Sequence, residues 1–114
     1  MSIRAPSADT PSCCTADFSL IPIGSSASSY AHEIAGVQRL VRESGLKNEM
    51  HATGTRIEGP WDLVMRLIGT AHTCVHHSGI PRIQTDVRML TRTDKDESVE
   101  EGMQEVEKIL VADV

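Results

Sequence analysis

Aromatic side chains are nearly missing: one Phe, one Tyr and one Trp occur in 114 residues. A reader of single-stranded nucleic acid needs stacking platforms, so that class is disfavoured. Basic charge is also short. The formal net charge is −5, whereas phosphate binding wants a basic face; an acidic domain better suits a neutral or cationic small ligand. The three cysteines are odd in number, and Cys13 and Cys14 are adjacent. They give no disulfide framework and no zinc-ribbon spacing, and reduced thiols in a cytoplasmic protein are the expectation. No apolar run approaches the ~20 residues of a membrane span, and the N-terminus lacks the continuous hydrophobic core of a secretory signal. Neither a membrane nor a nucleic acid is an expected partner.

What is present is globular in character, with 39% apolar and 24% charged residues, enough for one domain. Residues 1–12 are small and polar with two prolines, and read as a flexible tail ahead of a single domain over 13–114. Cys14 to Ile23 alternates, with Ala16, Phe18 and Leu20 on one side and Asp17, Ser19, Ile21 and Ile23 on the other. Both sides are largely apolar or small, which predicts a central strand with a partner layer or subunit on its second face. Tyr30, Ile34, Val37 and Val41, with Leu40 alongside, fall at helical spacing, and Gly45 stops them. A helix to His77 is predicted with a stripe of Val64, Ile68, Ala71 and Val75, closed by Ser78-Gly79. Residues 82–91 alternate as a half-exposed strand. Ser98-Val-Glu-Glu101 reads as a capping box before a third amphipathic helix of Val99, Met103, Val106 and Leu110.

The segment His51-Ala-Thr-Gly-Thr-Arg-Ile-Glu-Gly-Pro-Trp-Asp62 joins these pieces. Thr53-Gly54 can turn the chain, Thr55 to Glu58 reads as a strand paired with residues 47–52, and Pro60 suits a first helical position. The resulting order is β-α-β-β-α-β-α. It predicts an α+β, ferredoxin-like βαββαβ plan with an antiparallel sheet, central first and third strands, and an extra C-terminal helix.

Several clusters invite chemistry. His72 and His76 share a helix face as zinc ligands do, but Thr73 stands where a metallohydrolase needs glutamate and no third ligand suggests itself. Histidines facing solvent or a subunit contact are the expectation, and no metal or cofactor is predicted. Glu58, His51 and Thr53 cluster at the hairpin, where paired rows could place 51 and 58 in one pocket. The alternative is a carboxylate paired with Arg56 or Arg82. The serines at 25, 26, 28 and 29 lack a nucleophile-elbow pattern and read as helix capping.

Ala16-Asp-Phe-Ser-Leu-Ile-Pro-Ile-Gly24, Tyr30-Ala-His-Glu-Ile, Ser44-Gly-Leu46, the 51–59 block, Trp61-Asp-Leu-Val-Met65 and Thr91-Arg-Thr-Asp-Lys95 resemble, in order, the thiamine-binding-protein family related to YkoF-like domains. The resemblance spans about residues 14 to 111. It implies a ferredoxin-like subunit assembled through its sheets into dimers and commonly tetramers, which binds thiamine or its hydroxymethylpyrimidine part without established catalysis. On that expectation Glu58 would grip the aminopyrimidine edge, and Thr53 and Thr55 would serve ring nitrogens and the amine. Met50 or Tyr30 would cover a ring face, with Ser19, His51 and Thr85 as further ligand-binding candidates. Two other readings stay open: a small-molecule enzyme using His51 and Glu58, and a structural or partner-binding oligomer.

Overall fold

The computed structural model describes residues 9–24, 28–94 and 99–112. In chain order the elements are β1 (Cys13–Ile23), α1 (Ala31–Glu43), β2 (Lys47–His51), β3 (Gly54–Pro60), α2 (Trp61–His77), β4 (Arg82–Leu90) and α3 (Val99–Ala112). The strands form one antiparallel sheet in the order β2-β3-β1-β4. The first and third strands are central, as the ferredoxin-like plan requires.

Strand alternation decides which side chains meet the helices. Cys14, Ala16 and Phe18 of β1 and Thr55 and Ile57 of β3 are buried. They pack with Val37 and Val41 of α1 and with Val64, Leu67, Ile68, Ala71 and Val75 of α2. Ile57, Val41, Val64 and Ala71 are fully excluded from solvent. Burying an aliphatic side chain of this size stabilises by about 1.5–3 kcal/mol, so this layer is the main source of folding energy. The expected α2 stripe is confirmed and gains Leu67. On α1 the buried set is Val37, Gln38 and Val41, whereas Ile34 stays 51% exposed.

Gly45 and Gly79 end α1 and α2 at φ of 76° and 98°, a left-handed conformation that glycine adopts without strain. The residues expected as the α1 cap work one step earlier. The Ser29 hydroxyl accepts from the Ala31 N–H at 3.3 Å, and Tyr30 is the N-cap without a side-chain bond. Ser25, Ser26 and the capping serine Ser98 lie outside the described residues. Pro60 closes β3 and caps α2 rather than opening it. The Trp61 N–H is taken by the carbonyl of Ser12 at 3.3 Å, so the end of the expected tail is tied to the α2 entrance.

The turn differs from expectation. His51 pairs with Gly54, so Ala52-Thr53 form the two-residue turn and Gly54 already belongs to β3. No positive φ is needed at Gly54. Its bare Cα serves a close approach instead: a Cβ there would stand 2.5 Å from the Phe18 carbonyl oxygen.

The sheet face turned away from α1 and α2 carries Asp17 between Arg56 and Arg88, and Ser19 beside Asp86. Ile21 adds apolar surface there, 39% exposed. No described element covers the β1–β4 part of this face, while the start of α3 reaches its β2–β3 side. α3 also stands apart, with Met103, Val106, Ile109, Leu110 and Val111 all more than half exposed. It is tied to the body through the Lys47–Glu100 ion pair at 2.7 Å, and Met103 lies beside β2. No described helix is long and apolar enough to cross a membrane.

Candidate functional site

The hairpin tip, the middle of β1 and the first turns of α1 enclose a cavity of about 170 Å³. Strand parity builds its inner wall: Phe18, Leu20 and Thr55 point to the helix side, where Val37 and Val75 meet them. Tyr30, Glu33 and Ile34 form the outer wall because the helix begins before its core-facing stripe does. Met50, opposite Thr55 in the β2–β3 ladder, overhangs from the hairpin. His51, Thr53 and Ser19 make the rim. The lining is chiefly apolar, with a few convergent polar groups.

A hydrogen-bond network holds the rim. The Thr53 N–H donates to His51 Nδ1 at 3.3 Å, and the Thr53 hydroxyl lies at the same distance from that nitrogen. Since Nδ1 accepts a backbone proton, the ring carries its own proton on Nε2, which donates to Asp17 Oδ1 at 2.7 Å. The Ser19 hydroxyl donates to the Thr53 carbonyl. Beneath the rim, Thr55 Oγ1 donates to Gln38 Oε1 at 3.2 Å, and Gln38 Nε2 donates to Asn48 Oδ1 at 3.4 Å. Thr55 and Gln38 are buried, so this chain satisfies polar groups that would otherwise be costly in the interior.

Of the eight expected site residues, Ser19, Tyr30, Met50, His51, Thr53 and Thr55 line this one cavity. Glu58 does not join them. It pairs with Lys47 at the far end of the hairpin, four positions along from the His51–Gly54 pair, or roughly 13 Å of strand. Glu58 instead borders a second, more polar cavity of about 330 Å³, with Lys47, Arg56, Glu100 and Met103. Neither arginine expected as its partner takes it in the structure: Arg56 is bonded to Glu49. A shared pocket for His51 and Glu58 is therefore corrected, because a two-residue turn leaves them at opposite ends of the ladder.

Thr85 faces the helices opposite Leu20, but its hydroxyl is hydrogen-bonded to His72 Nε2 and it is not among the cavity-lining residues. His76 Nδ1 donates to the Ile80 carbonyl at 2.7 Å. Both histidines thus hold the α2–β4 connection. Among the described residues, no three of His, Cys, Asp and Glu converge as a metal site would need. Burial, with a smaller effect from neighbouring Cys13, pushes the Cys14 thiol above its ordinary value, which leaves Cys14 the less reactive of the two.

Glu33 is the polar cavity residue absent from the expected set. It sits three positions after Tyr30 and four before Val37, so helical spacing places it on the same face as both. Ile34, at helical spacing with Val37 and Val41, lines the cavity wall and stays out of the core.

Together the elements define a small α+β domain of the ferredoxin-like class with a partly apolar pocket at one hairpin. The chain belongs to the thiamine-binding protein family, whose model matches residues 16–107. Among its relatives, UPF0045 protein ECM15 of Eremothecium gossypii is 44% identical over 94 residues, spanning 82% of this chain and 90% of that one. A UPF0045 protein of Synechocystis is 40% identical over 91 residues, spanning 80% and 74%. Among solved structures, a hypothetical protein of Methanocaldococcus jannascii superposes with a TM-score of 0.75 at 24% identity, over 83% of this chain and 96% of the other. A candidate thiamine biosynthesis/salvage protein of Thermotoga maritima gives 0.70 at 14% identity, over 82% and 98%. At these identities the structural matches speak for the fold alone.

Proposed function

We propose that this protein binds thiamine, or its hydroxymethylpyrimidine part, as a carrier or sensor that does not turn it over. The observation that carries the reading is the coincidence of a ring-sized, mostly apolar cavity with the Thr53–Thr55 hairpin in a chain of the thiamine-binding protein family. At about 170 Å³ the cavity falls below the ~300–1,000 Å³ of sites that enclose a drug-sized ligand. One aromatic ring enters and the remainder of the ligand extends outward. Met50 and Tyr30 cover the ring, the Thr55 oxygen, whose proton goes to Gln38, accepts from its amine, and the Thr53 hydroxyl serves its nitrogens.

Binding is favoured over catalysis by the same geometry. An acid–base pair of His51 and Glu58 would need both side chains at one substrate, and they flank different cavities. The protein works as a homo-oligomer, a dimer or a tetramer, in which a second subunit covers the free sheet face. An uncovered face with Ile21 and unpaired strand edges supports this. Unbridged Cys13, Cys14 and Cys74 suit a cytoplasmic setting.

Calorimetric titration with thiamine, its phosphates and hydroxymethylpyrimidine tests the reading. Saturable binding of thiamine or the pyrimidine with no product is expected. Absence of binding to all of them would sink it, and steady conversion of a bound compound would favour an enzyme. Light scattering at micromolar concentration should give at least twice the 12.4 kDa of one chain; a mass of one subunit would remove the assembly.

A further inference from the structure

The charge inside the cavity narrows the ligand beyond the reading just given, and rests on it for the site. Glu33 is half-buried against a largely apolar wall. Among the described residues it has neither an ion pair nor a side-chain hydrogen bond. A carboxylate in that position is poorly compensated, and a cation arriving in the cavity would meet it directly. No described Lys or Arg lines the cavity. His51 does not substitute for one, since Nε2 is turned to Asp17 and Nδ1 to Thr53, and Asp17 brings a further negative charge to the rim.

One feature could have favoured an anion: the cavity abuts the start of α1. A helix N-terminus carries roughly half a positive charge, and free N–H groups there can seat a phosphate. Here the first N–H, that of Ala31, is already bonded to Ser29 Oγ. Glu33 lies in the first turn, and its full negative charge outweighs the half charge of the helix. The first turn of α1 therefore meets an incoming ligand with a carboxylate and not with an open anion seat.

We propose that Glu33 makes this pocket selective for cations, so that it admits an unphosphorylated aromatic cation and rejects phosphate esters of the same ligand. Thiamine carries one positive charge, its diphosphate is net negative, and hydroxymethylpyrimidine is neutral near pH 7. The three therefore separate charge from ring recognition.

The test titrates the full chain and Glu33→Gln with thiamine, thiamine diphosphate and hydroxymethylpyrimidine, and with benzamidinium and benzoate as ring-sized probes. In the wild type, thiamine should bind more tightly than its diphosphate, and benzamidinium more tightly than benzoate. Glu33→Gln should weaken the two cations by roughly ten- to a hundredfold, leave the neutral pyrimidine little changed and leave or improve the anions. A uniform loss across all five ligands would show a merely structural role and overturn the proposal, as would an unchanged cation affinity. Equal wild-type binding of benzamidinium and benzoate would overturn it whatever thiamine does. Failure of thiamine alone, with the benzamidinium preference intact and lost in Glu33→Gln, would remove the thiamine reading and leave charge selection standing. Thermal melting of both proteins checks that each is folded.

Discussion

α2 and α3 carry similar amphipathic patterns and meet opposite fates. Val64, Ile68 and Val75 of α2 are at most 6% exposed, whereas Met103, Val106, Ile109 and Leu110 of α3 are 55–56% exposed. The difference lies in connection, not periodicity. α2 leaves β3 directly through Pro60, so its stripe is delivered onto the sheet by the strand that precedes it. α3 follows the edge strand β4 and returns near the opposite edge, beside β2, where one ion pair and Met103 are the contacts described above. A 3.6-residue repeat states which face wants cover. It says nothing about what supplies it.

The sharpest way to break this comparison is to trim one apolar side chain on each helix. Ile68→Ala should cost about 2–5 kcal/mol of unfolding free energy, from lost burial and the cavity left behind. Leu110→Ala on α3 should stay within about 0.5 kcal/mol. Denaturant titrations of both variants measure this, and equal losses would mean that α3 is covered in solution. The smallest effect concerns the tie at the α3 entrance. A hydrogen bond from Lys47 holds the Glu100 carboxyl below its ordinary value, and the same bond raises Lys47. The Glu100 contribution is present above the ordinary carboxylate range and fades as pH falls through its lowered value. The Lys47 contribution is present below the ordinary lysine range and fades as pH rises through its raised value. The tie is therefore complete across neutral pH. Amides early in α3 should lose protection at both extremes, judged against intrinsic exchange at the same pH, with a change small enough for salt to mask it. Glu100→Gln should flatten that dependence while exchange across Val64 to Val75 stays as it was.

Much of the fold was legible because local signals agreed. Glycines at 45 and 79 stopped helices whose stripes were already clear, and two-sided apolarity placed β1 in the middle of the sheet. The hairpin was read one residue late because Thr-Gly looks like a turn, while Gly54 is demanded by a neighbouring carbonyl that local sequence does not display. Register arithmetic also bears on Glu58: with His51 opposite Gly54, residue 58 falls opposite 47 and away from the tip. Glu33 was overlooked for a different reason. Polar residues on an amphipathic helix default to solvent, and only the closing of a cavity over the first turn of α1 turns one of them inward.

That division along α1 has a consequence for how the protein can change. Its grip on the core comes from Val37, Gln38 and Val41, while Tyr30, Glu33 and Ile34 face the cavity. The hairpin tip opposite is pinned by main chain, at Gly54 against Phe18. One wall of the pocket is thus a fixed frame, and the other is a set of interchangeable panels mounted on a helix that stays docked without them. Residues 30, 33 and 34 can therefore be exchanged, and the shape and charge of the cavity changed with them, at little expense to the fold.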